Sequence, residues 1–367
     1  MEMLPFLLCS TIQPKPRLGN NVMKPNTLAA ALFATISATP AFAHHSRSNF
    51  DLESVVEVEG IVTEFTWRNP HAFAVIENTK ADGSTERWTF ELNSTPVLKR
   101  FGWTPHTLEV GDRVVARGNP DRDTAKHFIY ANVFVRDGNE IWAWGGPPLA
   151  PPEPVTVGST DFSGVWRIQF NLGFDVLGRN RPDAALVNTL TVTPKGQAQI
   201  DAFNPDDNPN WDCAPETLPT ILGHPYPFQI IRENEDRLLL RYEINNLERV
   251  VHLELDSHPA DVEPTPLGHS IGRFENGDLV IETAKFADVR WGSGPGVDSG
   301  EQKTTVERYR LSDDGKSLAL TFTMQDPEYL AEPVAIENRY NLTAGYELQD
   351  YLCDPETSRR HLTVGEK

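Results

Sequence analysis

The stretch "GHSIGRFENGDLVIETAKF", Gly268 to Phe286, carries the clearest fold signal in the sequence. Asn276-Gly277 stands between two strand candidates, "GHSIGRFE" and "DLVIETAKF". Both turn residues tolerate the positive φ angles of a type I′ turn. The stretch therefore predicts two antiparallel strands joined by a tight hairpin.

The whole region 161–367 repeats this pattern of short strands and turns. Its single clear helix candidate is "TPKGQAQIDAF", and Glu235-Asp236, Asn245-Asn246 and Asp314-Gly315 are further hairpin connectors. The other strand candidates are "DFSGVWRIQF", "NTLTVTP", "PFQIIREN", "DRLLLRYEI", "ERVVHLEL", "TTVERYRL", "SLALTFTM" and "VAIENRYNL". This organisation predicts an antiparallel meander, closed as a barrel or packed as a sandwich. The Gly164-x-Trp166 start resembles the opening of lipocalins, and this resemblance implies a lipocalin-like barrel.

A separate domain is predicted ahead of this meander. Residues 145–160 are rich in proline and glycine and lack periodicity, which indicates an extended linker. Residues 44–144 contain the strand candidates "VVEVEGIVTEF", "AFAVIEN", "RWTFEL", "DRVVARG" and "FIYANVFV". A helix candidate, capped by Ser94 or Thr95, stands between the third and the fourth. Five strands with a helix in that position predict a small OB-like barrel, and the protein as a whole is predicted to be mainly β.

The sequence predicts a leader over residues 1–43, which we exclude from the fold. An apolar run from Leu28 to Ile36 precedes Ala41-Phe42-Ala43, the small-residue pattern that signal peptidase cuts, and Met23 is the natural start. The apolar run is shorter than the roughly 18 residues that a spanning helix needs. The sequence therefore predicts a signal peptide and a periplasmic or secreted protein without membrane insertion.

Cysteine usage and charge agree with export. Only Cys213 and Cys353 remain after the leader, and an even pair in an oxidising compartment predicts a disulfide. The formal net charge is −19. An acidic chain without a Lys/Arg stripe repels nucleic acid, so we expect a small-molecule ligand and no nucleic-acid partner.

The segments "AHHS", "VEGIVTEFTWRNPHAF" and "LKRFGWTPHTLEVGDRVVARG" resemble an uncharacterised family of exported bacterial domains. The shared features are a mature start at His-His-Ser and a Trp-x-Asn-Pro-His motif, and the resemblance covers roughly residues 43 to 145. The second half resembles another uncharacterised β-rich module of exported proteins through "CAPETLP", "RVVHLELDSHP" and "GHSIGRFENGDLVIETAKF". Neither resemblance implies an activity.

The histidines at the predicted mature start suggest a metal site. Cleavage after Ala43 would leave His44 with a free α-amine beside its imidazole. These two nitrogens, joined by a second histidine, form a three-nitrogen set that suits Cu(II). His71 is the best candidate for that histidine, and His45 is an alternative ligand. A frayed terminus and a packed His71 are the competing interpretation.

Candidate catalytic residues lie in the second half. His252 and His258 flank two carboxylates on alternate positions, although His258 precedes Pro259 and is expected past the strand end. His269, Arg273 and Glu275 follow in the hairpin stretch, where we expect them at the mouth of the barrel. A solvated, charged strand face is the competing interpretation.

Two functional hypotheses follow. The first is an exported binding or accessory protein that holds copper at its mature terminus or a small ligand in the second barrel. The alternative is a periplasmic enzyme that uses these His and Glu side chains for acid–base chemistry on a small hydrophobic or carbohydrate substrate. The sequence contains no Gly-x-Ser-x-Gly elbow, phosphate loop or His-Glu-x-x-His motif, so the binding hypothesis is favoured.

Overall fold

The first strands of the chain close into a small barrel in the computed structural model, which describes residues 50–144, 157–169 and 190–364. The strands are β1 (Val56–Thr66), β2 (Phe73–Thr79), β3 (Thr85–Glu91), β4 (Arg113–Pro120), β5 (Phe128–Arg136) and β6 (Asn139–Trp142). Pairing runs β1–β2–β3–β5–β4 and back to β1, with β3 and β5 parallel. Helix α1 (Thr95–Lys99) lies between β3 and β4. The predicted OB-like barrel is confirmed, and β6 is an addition to it.

Two glycines allow this small barrel to close tightly. A Cβ atom at Gly60 would lie 2.3 Å from the Glu77 carbonyl oxygen, and one at Gly118 would lie 2.2 Å from that of Tyr130. Any side chain at either position would push adjacent strands apart. The interior is filled by buried aromatic and aliphatic residues around Trp103.

The second half forms a closed barrel, which decides between the two predicted packings. Its strands are β7 (Gly164–Ile168), β8 (Phe228–Arg232), β9 (Arg237–Tyr242), β10 (Leu247–His252), β11 (His269–Glu275), β12 (Asp278–Ala284), β15 (Thr304–Leu311), β16 (Ser317–Gln325) and β17 (Val334–Leu342). A separate hairpin of β13 (Val289–Gly294) and β14 (Val297–Ser299) lies between β12 and β15 in sequence. The Asn276-Gly277 turn has φ angles of 51° and 88°, as the sequence predicts. The mainly β fold is thereby confirmed.

One joint of this barrel differs from the rest. Eight neighbouring strand pairs are antiparallel, whereas β10 and β11 run parallel. They share only two register pairs, Val251 with Ser270 and His252 with Ile271. The edge of β10 from Leu247 to Val250 is therefore not covered by β11, and we call this incomplete joint the seam.

Two elements of the described residues differ from the prediction: one predicted strand is absent, and one helix was not predicted. The strand expected at "NTLTVTP" is wrong within the described residues: Val192 makes only an isolated bridge to Leu330. The Thr193 hydroxyl instead accepts from the Gly196 amide at 3.2 Å and caps helix α2 (Pro194–Asp201). A third helix, α3 (Pro355–Thr363), was not predicted. Its cap is Asp354, which accepts from the Thr357 amide at 2.7 Å.

The C-terminal segment ties the two barrels together within one compact unit, Ala41–Lys367. The predicted disulfide between Cys213 and Cys353 is present, with Cα atoms 5.8 Å apart. The next residue, Asp354, donates its amide to the Asn69 carbonyl of the first barrel at 2.9 Å. The disulfide therefore fixes the segment that contacts both barrels.

A buried carboxylate reinforces the same contact. Glu243, at the end of β9, has a fully buried side chain. It accepts from Arg100 of the first barrel at 2.5 Å, from the Tyr346 hydroxyl at 2.6 Å and from the Gln349 amide at 2.9 Å. Three donors compensate the burial of these carboxylate oxygens, so the contact between the barrels is specific.

Several predictions lie outside the described residues: the leader 1–43, His44, His45 and the linker up to residue 156. In the part of the chain that the structure describes, no helix is long and apolar enough to cross a membrane.

Candidate functional site

The seam opens a cavity of about 390 Å³ in the wall of the second barrel. Leu247 to Val250 and His252 form one side. The segment from Thr265 to Ser270, which includes the start of β11, forms the other side with Pro215. The cavity exists because β11 does not continue alongside the first residues of β10. Its lining consists of outward-facing residues of β10 and of the facing segment, together with Arg249, whose side chain is buried.

A buried ion pair joins Arg249 of β10 to Glu307 of β15. Arg249 donates to Glu307 through Nη1 at 2.6 Å and through Nη2 at 2.9 Å. The two side chains are 2% and 0% exposed. Burial opposes the charge on Arg249, but the combined effects of Glu307, Tyr242 and Tyr309 outweigh it and raise the pKa of Arg249 above its ordinary value. The two parallel hydrogen bonds are the geometry of a bidentate arginine–carboxylate pair.

Some polar atoms around this pair are unsatisfied. Within the described residues, Nε of Arg249 and the hydroxyls of Tyr242 and Thr305 are buried without a hydrogen-bond partner. The Tyr242 hydroxyl faces the Arg249 guanidinium without ordinary hydrogen-bond geometry, and burial raises the pKa of Tyr242. A buried polar atom without a partner costs about 1–3 kcal/mol of stability.

Three predicted site residues come together on the outer rim of the cavity. His258 and His269 approach to 2.9 Å between their Nδ1 atoms. The ring of His252 stacks on His269 with centroids 4.8 Å apart, and its Nδ1 contacts Glu254 at 3.0 Å. β10 ends at His252, so His258 lies past the strand end, as expected, and the connecting loop returns it to His269. We call His252, His258 and His269 the histidine cluster.

The histidine cluster is suited to proton exchange. Two ring nitrogens in contact require one donor and one acceptor, so at least one of the two rings is uncharged. Burial lowers the pKa of His258 and of His269, and for His269 the neighbouring histidines add to the effect. An uncharged imidazole accepts a proton readily, which is the chemistry that the enzyme hypothesis needs.

Arg273 and Glu275 occupy a different place. Both lie on the outer face of β11, where Arg273 donates to Glu275 at 2.5 Å and to Glu282 at 2.6 Å. Arg308 of β15 also donates to Glu275, at 2.6 Å, and these bonds lower the pKa of Glu275. Neither Arg273 nor Glu275 lines the cavity in the described structure. They form an exposed ion-pair ladder outside the barrel.

His71 is held in one orientation on the first barrel. Its Nδ1 lies 3.0 Å from the Leu92 carbonyl oxygen and 3.2 Å from Glu91 Oε1. Because a carbonyl only accepts, Nδ1 carries the proton of the neutral ring and Nε2 carries the lone pair. Burial raises the pKa of Glu91, while His71 opposes that rise. A histidine fixed through Nδ1 in this way presents Nε2 as a metal ligand.

Metal ligation remains a prediction. Among residues 50–144, 157–169 and 190–364, no group of three or more His, Cys, Asp or Glu side chains is arranged to hold a metal ion. The other two predicted ligands, His44 and His45, precede the described residues.

Sequence reasoning did not predict the buried pair of Arg249 and Glu307. Tyr242 and Arg249 lie on the consecutive strands β9 and β10, but Glu307 lies on β15, far along the chain. One signal was available: on β15, Glu307 shares the strand face of Tyr309, while Val306 on the opposite face is 42% exposed. A charged residue on the inward face of an otherwise regular strand indicates a buried polar site.

Comparisons with known proteins found a family model that matches part of the chain and solved structures that are distantly similar to it. Two crystal structures of the fluorescent protein UnaG, the wild type and an asparagine-to-alanine variant, are similar at 14% and 15% identity with TM-scores of 0.23 and 0.24. They cover 49% of this chain and 96% and 95% of their own. No curated protein matches. Residues 32–130 match a family of unknown function (DUF6152), which supports the resemblance of this part to an uncharacterised domain family.

Proposed function

We propose that the chain is an exported protein that binds a small molecule in the seam cavity of its second barrel. The observation that carries the proposal is the cavity itself, about 390 Å³, whose lining combines Pro215, Leu247, Val250, Pro266 and Leu267 with the histidines His252 and His269. Concave sites with an apolar lining and a few placed polar groups are typical of small-molecule binding. Export rests on the leader and agrees with the disulfide between Cys213 and Cys353.

Blocking the cavity tests this proposal. N-phenyl-1-naphthylamine, an uncharged dye that fluoresces in apolar surroundings, serves as the probe. Val250→Trp fills the cavity from β10, whereas Val306→Trp places the same ring on the exposed outer face of β15. We expect Val250→Trp to weaken dye binding about tenfold or more and Val306→Trp to leave it unchanged. Equal binding by all three proteins would refute the seam as the binding site.

We also propose a second function, copper binding at the first barrel, because His71 presents Nε2. Phe50 pairs with Asp121, and the charge of Asp121 acts on Glu91, the partner of His71. The chain thus enters the described structure near His71. Six residue steps separate His44 from Phe50, which gives the segment a reach of at most about 20 Å. A segment of this length is long enough to bring the terminal amine of His44 to His71.

Copper titration of the chain processed to His44 tests this second function. We expect His71→Gln, or an extra residue ahead of His44, to weaken Cu(II) binding about tenfold or more, with altered nitrogen couplings in the electron paramagnetic resonance spectrum. His106→Gln is the matched control, because the His106 side chain is 84% exposed on the same barrel. Binding that is indifferent to His71 and to the free amine would exclude the site.

A further inference from the structure

The seam cavity lies between two segments of backbone. Four consecutive residues of β10, 247–250, line one side, and six consecutive residues, 265–270, line the other. Successive side chains of a strand point to opposite faces, and here the lining includes both the exposed Glu248 and the buried Arg249. The edge of β10 therefore borders the cavity, which we call the slot.

The pairing of β9 with β10 determines which backbone groups lie on that edge. In an antiparallel pair, residues that exchange hydrogen bonds with the neighbouring strand alternate with residues that do not. Leu253 donates its amide to the Asp236 carbonyl at 2.8 Å, and Arg249, four positions earlier in the same register, is therefore also bonded to β9. Glu248 and Val250 consequently direct their N–H and C=O groups away from β9 and towards the slot.

Strand β11 uses only one of these groups. Its register with β10 begins at Val251 and Ser270. In a parallel pair a residue bonds to the two residues that flank its partner, so Ser270 accounts for the Val250 carbonyl. The N–H of Val250 and both the N–H and the C=O of Glu248 have no hydrogen-bond partner in either described neighbouring strand.

The segment that faces β10 does not pair with it, because its backbone groups are bonded elsewhere. The Thr265 amide donates to the Lys285 carbonyl at 3.2 Å, and the Gly268 amide donates to the Thr265 carbonyl at 3.0 Å. Pro266 has no N–H, and its carbonyl accepts from the Thr217 hydroxyl at 2.5 Å. The edge of β10 is thus left for a ligand.

Charge and polarity narrow the class of ligand. The apolar residues around the slot are Pro215, Leu247, Val250, Pro266 and Leu267. Glu248 also lines it, and the pair that Glu248 forms with Arg241 is exposed and therefore weak. With a net charge of −19 on the chain, an acidic ligand is repelled and a basic one is attracted.

Resting on the proposed binding function, we propose that the ligand is a short, extended peptide of about four residues, apolar with a basic side chain, that lies along the free edge of β10. Its backbone hydrogen-bonds to the Val250 N–H and to the N–H and C=O of Glu248. Its apolar side chains contact the walls of the slot, and its basic side chain lies near the Glu248 carboxylate. Strand addition of this kind takes its affinity from main-chain hydrogen bonds and its specificity from side-chain contacts.

Calorimetric titration of the mature protein with acetyl-Val-Lys-Val-Val-amide tests the ligand class. Two analogues, N-methylated at residues one and three or at residues two and four, keep the side chains but lose alternate N–H donors. We expect at least one of them to bind about tenfold or more weakly than the parent peptide, and a glutamate in place of the lysine to weaken binding about fivefold or more. No binding of the parent, equal binding of both analogues, or equal binding of the acidic peptide would overturn the proposal.

A proline substitution tests the strand edge from the side of the protein. Val250→Pro removes an N–H that β9 does not use, whereas Val250→Ala, the matched control, keeps that N–H and shortens the side chain. We expect Val250→Pro to bind the parent peptide about tenfold or more weakly than Val250→Ala. Equal affinity of the two variants would overturn the pairing.

Amide hydrogen exchange, followed by nuclear magnetic resonance, tests the pairing without a substitution. In the free protein the amides of Glu248 and Val250 should exchange faster than those of Arg249 and Val251, which are bonded to β9. Saturating peptide should slow exchange at Glu248 and Val250 about tenfold or more. Equal protection of all four amides in the free protein, or no slowing by the peptide, would overturn the proposal.

The two levels fail separately. Dye binding that Val250→Trp does not affect refutes the seam site and, with it, the peptide. Dye binding that Val250→Trp blocks, without binding of the parent peptide or without an effect of N-methylation, refutes the peptide class alone.

Discussion

Separating Arg249 from Glu307 is expected to destabilise the second barrel strongly. The pair is bidentate at 2.6 and 2.9 Å, and both side chains are at most 2% exposed. At an effective dielectric constant of about 20, two charges this close attract by about 4 kcal/mol or more. Glu307→Gln or Arg249→Met leaves the other charge buried alone, so each should lower the free energy of unfolding by about 3–5 kcal/mol.

The double variant distinguishes the pair from a general packing effect. When both charges are removed together, no unpaired charge remains, so the loss should be at least about 3 kcal/mol smaller than the sum of the single losses. Urea unfolding followed by far-ultraviolet circular dichroism measures all four proteins. The exposed pair of Arg273 and Glu275 is the matched control, for which we expect coupling of about 1 kcal/mol or less. Additive losses at Arg249 and Glu307, within about 0.5 kcal/mol, would refute this account of the site.

Three further predictions concern the disulfide, the histidines and one buried lysine. Replacing Cys213 and Cys353 by serine opens a covalent loop with a sequence separation of 140, which should cost up to about 5 kcal/mol in urea unfolding; an unchanged midpoint would contradict the entropic argument. Burial holds the pKa of His258 and His269 below 6.5. As the pH falls below 6.5, these histidines take up protons more readily in the unfolded chain than in the folded protein, so the free energy of unfolding falls on acidification. Replacing both by glutamine should flatten the dependence of the urea midpoint between about pH 7 and 5, and identical profiles would count against the cluster. Burial lowers the pKa of Lys303 from 10.5 to about 7. Between pH 7 and 10.5 the lysine is therefore protonated in the unfolded chain but uncharged in the folded protein, so the free energy of unfolding rises with pH over this range. Lys303→Met should lose that rise, and parallel stability curves from pH 7 to about 9.5 would show that the lysine is not perturbed.

The strands of both barrels were predictable because a half-buried strand leaves a period of two in the sequence. This pattern did not predict the structure where backbone polar groups form their hydrogen bonds outside a sheet. "NTLTVTP" has the composition of a strand, but Thr193 caps a helix there. The β13–β14 hairpin is rich in glycine and carries no alternation, so nothing in its pattern separates it from a loop. Helix α3 did carry a signal: Asp354-Pro355 has the cap residue and first-turn proline of a helix start.

The candidate site was less predictable than the fold, because it depends on contacts between distant segments. His258 and His269 meet only because the connection after β10 returns to the start of β11. Arg249 and Glu307 lie 58 residues apart, and either one alone is consistent with a solvated strand face. Residue type and spacing identify such side chains as candidates, whereas their partners follow only from the order of strands around the barrel.

The number of strands explains why the site lies at the seam. Around a closed ring, strands that alternate in direction must be even in number, and this barrel has nine. At least one neighbouring pair therefore has to be parallel. A parallel pair needs a crossover of about a dozen residues or more instead of a tight turn. Here that crossover, residues 253–268, carries His258 to the rim and supplies the outer wall of the cavity. Two other connections, residues 169–227 and 285–303, are longer, so length alone does not identify the parallel joint. The odd number of strands requires a parallel pair. Because β10 and β11 share only two register pairs, the barrel wall is open beside that pair.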